Sequence, residues 1–144
     1  MKAYLDTSVV IAWLLEGSRE LERLAGYEEV ASSRLLWIET TRTLDRAVRS
    51  GQITDSDGIT ARLAFENMAS GLTRLRLTEG VLSRASEGFP TIIRTLDALH
   101  LSTALAWAEG ASRDAVCVWS FDSQLNLCAR AMGFTVEFLS LKRV

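Results

Sequence analysis

The sequence predicts an α/β domain in three layers, with a mostly parallel central sheet of about five strands covered by helices on both faces. Short apolar runs alternate with longer stretches of helical spacing along the whole chain. Turn and capping residues mark nearly every changeover, and no internal repeat, low-complexity tract or linker interrupts the pattern. With 144 residues and 48% hydrophobic content, the chain has the size of one ordinary domain, which buries roughly two-thirds of its unfolded surface. Residues 1–144 are therefore expected to form a single domain.

The elements follow in order. Lys2-Ala3-Tyr4-Leu5 is short and apolar and ends at Asp6-Thr7-Ser8, after which Val9, Val10, Trp13 and Leu14 recur at helical spacing. This is strand, polar turn, helix. Ser18 stands as the N-cap of a short helix carrying Leu21 and Leu24 and ending at Gly26. A strand is expected over residues 29–31. After Ser32-Ser33 comes a long helix over 34–49, closed by Gly51, with Leu35, Ile38, Leu44 and Val48 as its apolar face. Thr54-Asp55-Ser56-Asp57 is dense in capping residues and introduces a helix through Leu63, Phe65 and Met68 to Gly71. Residues 72–77 alternate apolar and basic side chains, the period of a strand. Thr78 caps a helix to about residue 87, and Gly88-Phe89-Pro90, with the only proline, marks a loop before a helix over 95–107. Val116-Cys117-Val118-Trp119 reads as a buried strand ending at Ser120-Phe121-Asp122. A helix through Leu125, Leu127 and Ala131 to Gly133 follows, and then a last strand over 135–139.

Composition narrows the function classes. The longest apolar run, from Val9 to Leu15, falls far short of the ~20 residues that span a bilayer and lacks a cleavage-type ending, so a soluble, cytoplasmic protein is expected. Cys117 and Cys128, in apolar surroundings and without metal-type spacing, read as reduced core residues. The formal net charge is −2, from 16 basic and 18 acidic residues. If four acids are neutralised by bound cations, 18 − 4 leaves 14 acidic residues against the 16 basic, a balance of +2 that is compatible with a nucleic-acid substrate. Only Lys2 and Lys142 are lysines. The remaining basic residues are arginines, which suit bidentate phosphate contacts but also arise from genomic composition bias.

Four acids stand out. Asp6 and Asp122 each follow a predicted strand directly, the place where open parallel sheets bind ligands. An acid there is also a good helix N-cap. Asp97 lies near the start of an otherwise apolar helix, where it also complements the positive end of the helix dipole. Glu39 follows Leu35-Leu36-Trp37-Ile38 in the early part of a core-facing helix, so it either meets a cation or projects from the edge of the apolar stripe. Four carboxylates drawn into one pocket repel one another unless a divalent cation compensates, and a donor set made only of oxygens favours Mg²⁺ or Mn²⁺ over zinc. Such an ion activates water against a phosphodiester.

The segments Tyr4-Leu5-Asp6-Thr7-Ser8-Val9, Glu39-Thr40-Thr41-Arg42, Leu96-Asp97-Ala98-Leu99-His100-Leu101-Ser102-Thr103-Ala104 and Ser120-Phe121-Asp122-Ser123-Gln124-Leu125 through Ala131-Met132-Gly133-Phe134 resemble, in order and spacing, the signatures of PIN-domain ribonucleases. Within these the chain looks most like the VapC-type toxins of bacterial toxin–antitoxin pairs, and the resemblance covers essentially its whole length. Two segments depart from the family pattern: Arg34-Leu35-Leu36-Trp37-Ile38 stands where a polar start is commoner, and Ser120 where threonine is common. Neither departure removes a proposed ligand.

The resemblance implies a PIN-like fold and an Mg²⁺-dependent endoribonuclease, with Mn²⁺ as a possible substitute. It also implies a homodimer restrained by an antitoxin that covers the active site. Asp6 and Asp97 are then the principal metal ligands, Glu39 and Asp122 complete the site directly or through water, and Thr7 and Ser120 orient those carboxylates.

Arg42, Arg46 and Arg49, at i+3, i+7 and i+10 from Glu39, form a stripe that either grips RNA or a partner or is simply solvated. His100, the only histidine, reads as a packed, hydrogen-bonded residue rather than a catalytic base. Trp13, Trp37, Phe65 and Met68 read as core, with exposure for a partner as the other reading. No nucleophile elbow, Walker A loop, G-x-G-x-x-G or zinc pattern is present. Ser8 occupies the position where a phosphatase using Asp6 as nucleophile would carry a second acid. The alternative of a different class is a non-catalytic PIN-like module that binds RNA or protein. The presence of all four acids favours the enzyme.

Overall fold

The computed structural model describes residues 1–138. The chain runs β1 (Lys2–Leu5), α1 (Thr7–Glu16), a 3₁₀ segment (Glu20–Gly26), β2 (Glu29–Ser33), α2 (Leu35–Arg49), α3 (Asp55–Ala69), β3 (Thr73–Leu75), α4 (Glu79–Ala85), α5 (Thr95–Trp107), a 3₁₀ turn (Arg113–Ala115), β4 (Val116–Trp119), α6 (Ser123–Ala131) and β5 (Thr135–Val136). The five strands lie in the order β3-β2-β1-β4-β5, and every neighbouring pair is parallel. The order reverses beside β1, which pairs with both β2 and β4.

Side-chain alternation along the strands divides the core between the two faces of the sheet. Tyr4, Val116 and Val118 pack with Leu101 and Ala104 of α5 and with Leu125 and Cys128 of α6. Ala3, Leu5, Cys117 and Trp119 point the other way, onto Val9 and Val10 of α1, Leu36 of α2 and Phe65 of α3. The two cysteines are thus free, buried and on opposite faces. Trp37 and Met68 pack against the second cluster, and Trp13 is half-buried.

Several predicted boundaries and faces are corrected. The stripe of α2 that faces inward is Leu36, Thr40, Leu44 and Ala47, flanked by Leu35, whereas Ile38 is 53% exposed and Val48 half-buried. Position 38 lies about 200° around the helix from position 36, so burying Leu36 turns Ile38 outward, while Glu39, three residues on from Leu36, stays on its side.

The segment after Ser18 is a 3₁₀ helix with Arg19 rather than Ser18 at its N-cap, although the Glu20 N–H still donates to the Ser18 hydroxyl at 3.4 Å. β2 continues through Ser32 and Ser33, which are completely buried. The Ser32 hydroxyl donates to the Leu5 carbonyl at 2.6 Å, and the Ser33 hydroxyl accepts the Leu35 N–H at the start of α2. β3 keeps only three of the six expected strand residues. β5 covers Thr135–Val136; Leu139, the expected end of that strand, lies outside the described residues. Among the described residues no helix is long and apolar enough to cross a membrane.

Candidate active site

Register brings the first two acids together. Leu5 pairs with Trp119 across the β1–β4 ladder, so Asp6 and Ser120 emerge side by side, and the Asp6 N–H donates to the Trp119 carbonyl at 2.9 Å. Asp6 caps α1 and Asp122 caps α6, through Ser8 N–H in the first case and Gln124 and Leu125 N–H in the second. The capping role and placement at the strand ends therefore hold together. Asp97, in the first turn of α5, and Glu39, in the second turn of α2, join them. All four carboxylates line one cleft of about 480 Å³, together with Thr7, Ser8, Arg94, Thr95 and Leu96. A cleft of the same volume between α4 and the end of α5 is lined by Val81, Leu105 and alanines together with Arg84 and Arg113, and holds one carboxylate, Glu109.

Each acid is held by its own partners. Asp6 Oδ2 accepts from the Ser120 hydroxyl at 2.7 Å and the Ser8 hydroxyl at 2.6 Å. Ser120 is fully buried and its oxygen also accepts the Asp122 N–H at 2.9 Å, so one hydroxyl ties two of the acids together. Glu39 Oε1 accepts from Thr7 Oγ1 at 2.6 Å and lies 2.8 Å from His100 Nε2. The other ring nitrogen, Nδ1, is 2.8 Å from the Tyr4 hydroxyl, and both Tyr4 and His100 are 1% exposed. Asp97 Oδ2 accepts the Arg94 N–H at 3.3 Å. The Arg94 side chain extends from α5 to α6, with Nη2 2.9 Å from Asp122 Oδ2 and Nε 3.6 Å from Asp97 Oδ2.

These contacts set the electrostatics. Burial pushes the Asp97 carboxyl above its ordinary value, and the charges of Asp122 and Asp6 add to the rise against the opposing pull of Arg94. Burial also works against the charged Glu39, but the hydrogen bond and charge of His100, with Thr7, outweigh it and leave that carboxyl lowered. His100 is raised: burial opposes its charge, and the Glu39 bond with the charges of Asp6, Glu39 and Asp97 more than compensates.

The chemistry of this donor set, four carboxylates and no thiolate, suits a hard divalent cation. Among the described residues no three acidic, histidine or cysteine side chains close around a single point.

Arg42, Arg46 and Arg49 are exposed on α2 and do not line this cleft, and Arg49 pairs with Asp45 at 3.0 Å. Sequence reasoning gave no role to Ser8 or Arg94. Ser8, two residues beyond Asp6 at a helix start, carried a signal as a carboxylate donor. Arg94 carried one too, as a cation at an N-cap, a position that favours small polar or acidic residues.

A fully parallel sheet with a carboxylate-lined cleft at the reversal of strand order defines an α/β protein with an acidic cleft at a topological switch point, the place where open α/β sheets bind ligands. The sequence profile of the PIN domain matches residues 3–130, and the chain belongs to that family. Sequence comparison with curated proteins finds no match.

Among solved structures the fold is similar to VapBC2 from Rickettsia felis bound to a promoter DNA fragment, with a TM-score of 0.67 and 14% identity over 95% of this chain and 98% of that one. It is similar to FitAcB from Neisseria gonorrhoeae, with a TM-score of 0.66 and 17% identity over 93% and 95% of the two chains. VapBC-1 from nontypeable Haemophilus influenzae gives a TM-score of 0.61 and 15% identity over 95% and 97%.

Proposed function

We propose that the chain is an Mg²⁺-dependent endoribonuclease, with Mn²⁺ as a substitute, that hydrolyses RNA phosphodiester bonds with metal-activated water and serves as the toxin of a toxin–antitoxin pair. The observation that carries this reading is the meeting of Asp6, Glu39, Asp97 and Asp122, from four separate segments, in one cleft at the switch point. Asp6 and Asp97 would be the principal ligands, with Glu39 and Asp122 completing the set directly or through water. A hard cation held there supplies Lewis acidity toward a phosphoryl oxygen and the attacking water.

The chain's own residues pre-arrange the acids. Ser8 and Ser120 fix Asp6, Thr7 and His100 fix Glu39, and the first turn of α6 fixes Asp122. Carboxylates ordered in advance need little reorganisation when substrate arrives. The same reading carries an antitoxin partner, a homodimer and a cytoplasmic setting, and the likeness to VapBC2, VapBC-1 and FitAcB supports the antitoxin. A non-catalytic binding module is the second reading, favoured by the arrangement of the described residues, among which no three acidic, histidine or cysteine side chains close around one point.

The test is incubation of the purified protein with a mixed cellular RNA pool in Mg²⁺, in Mn²⁺ and in EDTA, with Asp6→Ala as the control for contaminating nuclease. Discrete products that need metal and appear only with the unsubstituted protein are expected. Their absence in both metals, with Mn²⁺ binding intact, favours the binding module.

A further inference from the structure

Three of the four acids share a pattern. In Asp6, Glu39 and Asp97 one carboxylate oxygen is committed to donors of the protein, and the other accepts no hydrogen bond among the described residues. Asp122 differs. Its Oδ1 accepts the N–H groups of Gln124 and Leu125, and its Oδ2 is taken by Arg94 Nη2 at 2.9 Å. The Arg94 guanidinium also lies 3.6 Å from Asp97 Oδ2, so one cation spans two of the four acids.

Arg94 sits there against local preference. It occupies the N-cap of the thirteen-residue α5, where a small side-chain acceptor is favoured and a positive charge opposes the helix dipole. Its side chain is 75% exposed, so apolar packing does not explain the placement. Conflict with local preference, combined with a tertiary ion pair, is the pattern expected of residues at functional sites.

We propose that Arg94 is a built-in counter-cation of the acidic cleft, which competes with the metal ion for Asp122 and Asp97 and must leave Asp122 Oδ2 before that oxygen can act as a ligand. This rests on the metal-site reading above. Arg94 thereby sets a threshold for metal loading: it quiets the repulsion among the carboxylates at low metal and gives way as the ion binds.

The experiment is Mn²⁺ titration of the full-length wild-type protein, Arg94→Gln and Arg94→Lys, read as free Mn²⁺ by electron paramagnetic resonance and, in parallel, as the rise in Tm on adding Mn²⁺. Arg94→Gln is expected to bind Mn²⁺ roughly 1.5- to 5-fold more tightly, the scale of an exposed ion pair, with a larger metal-induced rise in Tm. Arg94→Lys, which keeps the charge but loses the forked reach, is expected to fall between the two. Equal or weaker Mn²⁺ binding by Arg94→Gln overturns the inference alone. Absence of Mn²⁺ binding in all three proteins overturns the metal-site reading along with it.

Discussion

Replacing His100 with alanine tests how much of the fold depends on the polar chain running from Tyr4 to Glu39. His100 is 1% exposed and bridges the Tyr4 hydroxyl and Glu39 Oε1, each at 2.8 Å. Its loss leaves the buried Tyr4 hydroxyl without this partner, a cost of about 1–3 kcal/mol, and removes a charge-assisted bond to Glu39, about 1.5–3 kcal/mol. Allowing for overlap, the expected loss is about 2–5 kcal/mol, a large share of the 5–15 kcal/mol typical of a domain. Tyr4→Phe, which removes only the hydroxyl, should cost roughly 1 kcal/mol.

The assay is urea denaturation in EDTA at several pH values. Because folding raises His100 above its ordinary 6.5, the stability from its charged form is fully present below that value and is lost as pH rises through the raised one. Glu39 is lowered from 4.5, so its share is present above that value and is lost as pH falls through the lowered one. The gap between wild type and His100→Ala should therefore be widest around pH 5–6.5 and narrow toward alkaline pH, leaving the cost of the neutral bonds. A loss under 1 kcal/mol at pH 6, or an equal loss at pH 6 and 9.5, refutes the reasoning.

Two further substitutions separate ligation from folding. Asp97→Asn should abolish RNA cleavage and weaken Mn²⁺ binding while leaving the circular dichroism spectrum unchanged. A carboxyl raised by burial and by Asp122 and Asp6 costs stability above its ordinary 3.8, so this variant should melt at or above the wild-type temperature at pH 7 in EDTA; full activity would remove Asp97 from the site. Ser120→Ala removes the hydroxyl that donates to Asp6 and accepts from Asp122, and should weaken Mn²⁺ affinity about 10- to 100-fold, the range for residues that orient metal ligands. Unchanged Mn²⁺ affinity would show that Asp6 keeps its position without that hydroxyl.

What the sequence revealed of the fold and site, and what it hid, divides along physical lines. The strands β1 and β4 were legible because a short apolar run buried on both faces carries its own signature. Asp6 and Asp122 follow directly, since a residue just past a buried strand in a parallel sheet can only stand at the carboxyl edge. Ile38 was misplaced because 35/38 and 36/40/44/47 are both regular helical stripes; the small residues Thr40 and Ala47, completely or almost completely buried, mark the one that packs. The segment after Ser18 carries helical spacing, but its seven residues are too few to settle α against 3₁₀ winding without tertiary contacts. Arg94 received no role from the sequence, because its meaning depends on the approach of α5 to α6, and Asp122 stands 28 residues away in sequence.

The charge balance of the cleft ties these pieces together. Four carboxylates converge on it, and two basic side chains face them: Arg94, exposed and spanning Asp97 and Asp122, and His100, a cation when protonated, buried against Glu39 and 3.6 Å from Asp6 Oδ1. With His100 charged, two negative charges remain, the charge of one divalent ion. The two cations differ in what metal loading asks of them. His100 is fixed between Tyr4 and Glu39 in the core and holds its carboxylate without moving, whereas Arg94 lies at the solvent edge, where it can leave Asp122 Oδ2 without unpacking anything. Ordering therefore falls to the buried cation and competition to the exposed one. Substitution of His100 should accordingly register mainly in folding stability, and substitution of Arg94 mainly in metal affinity.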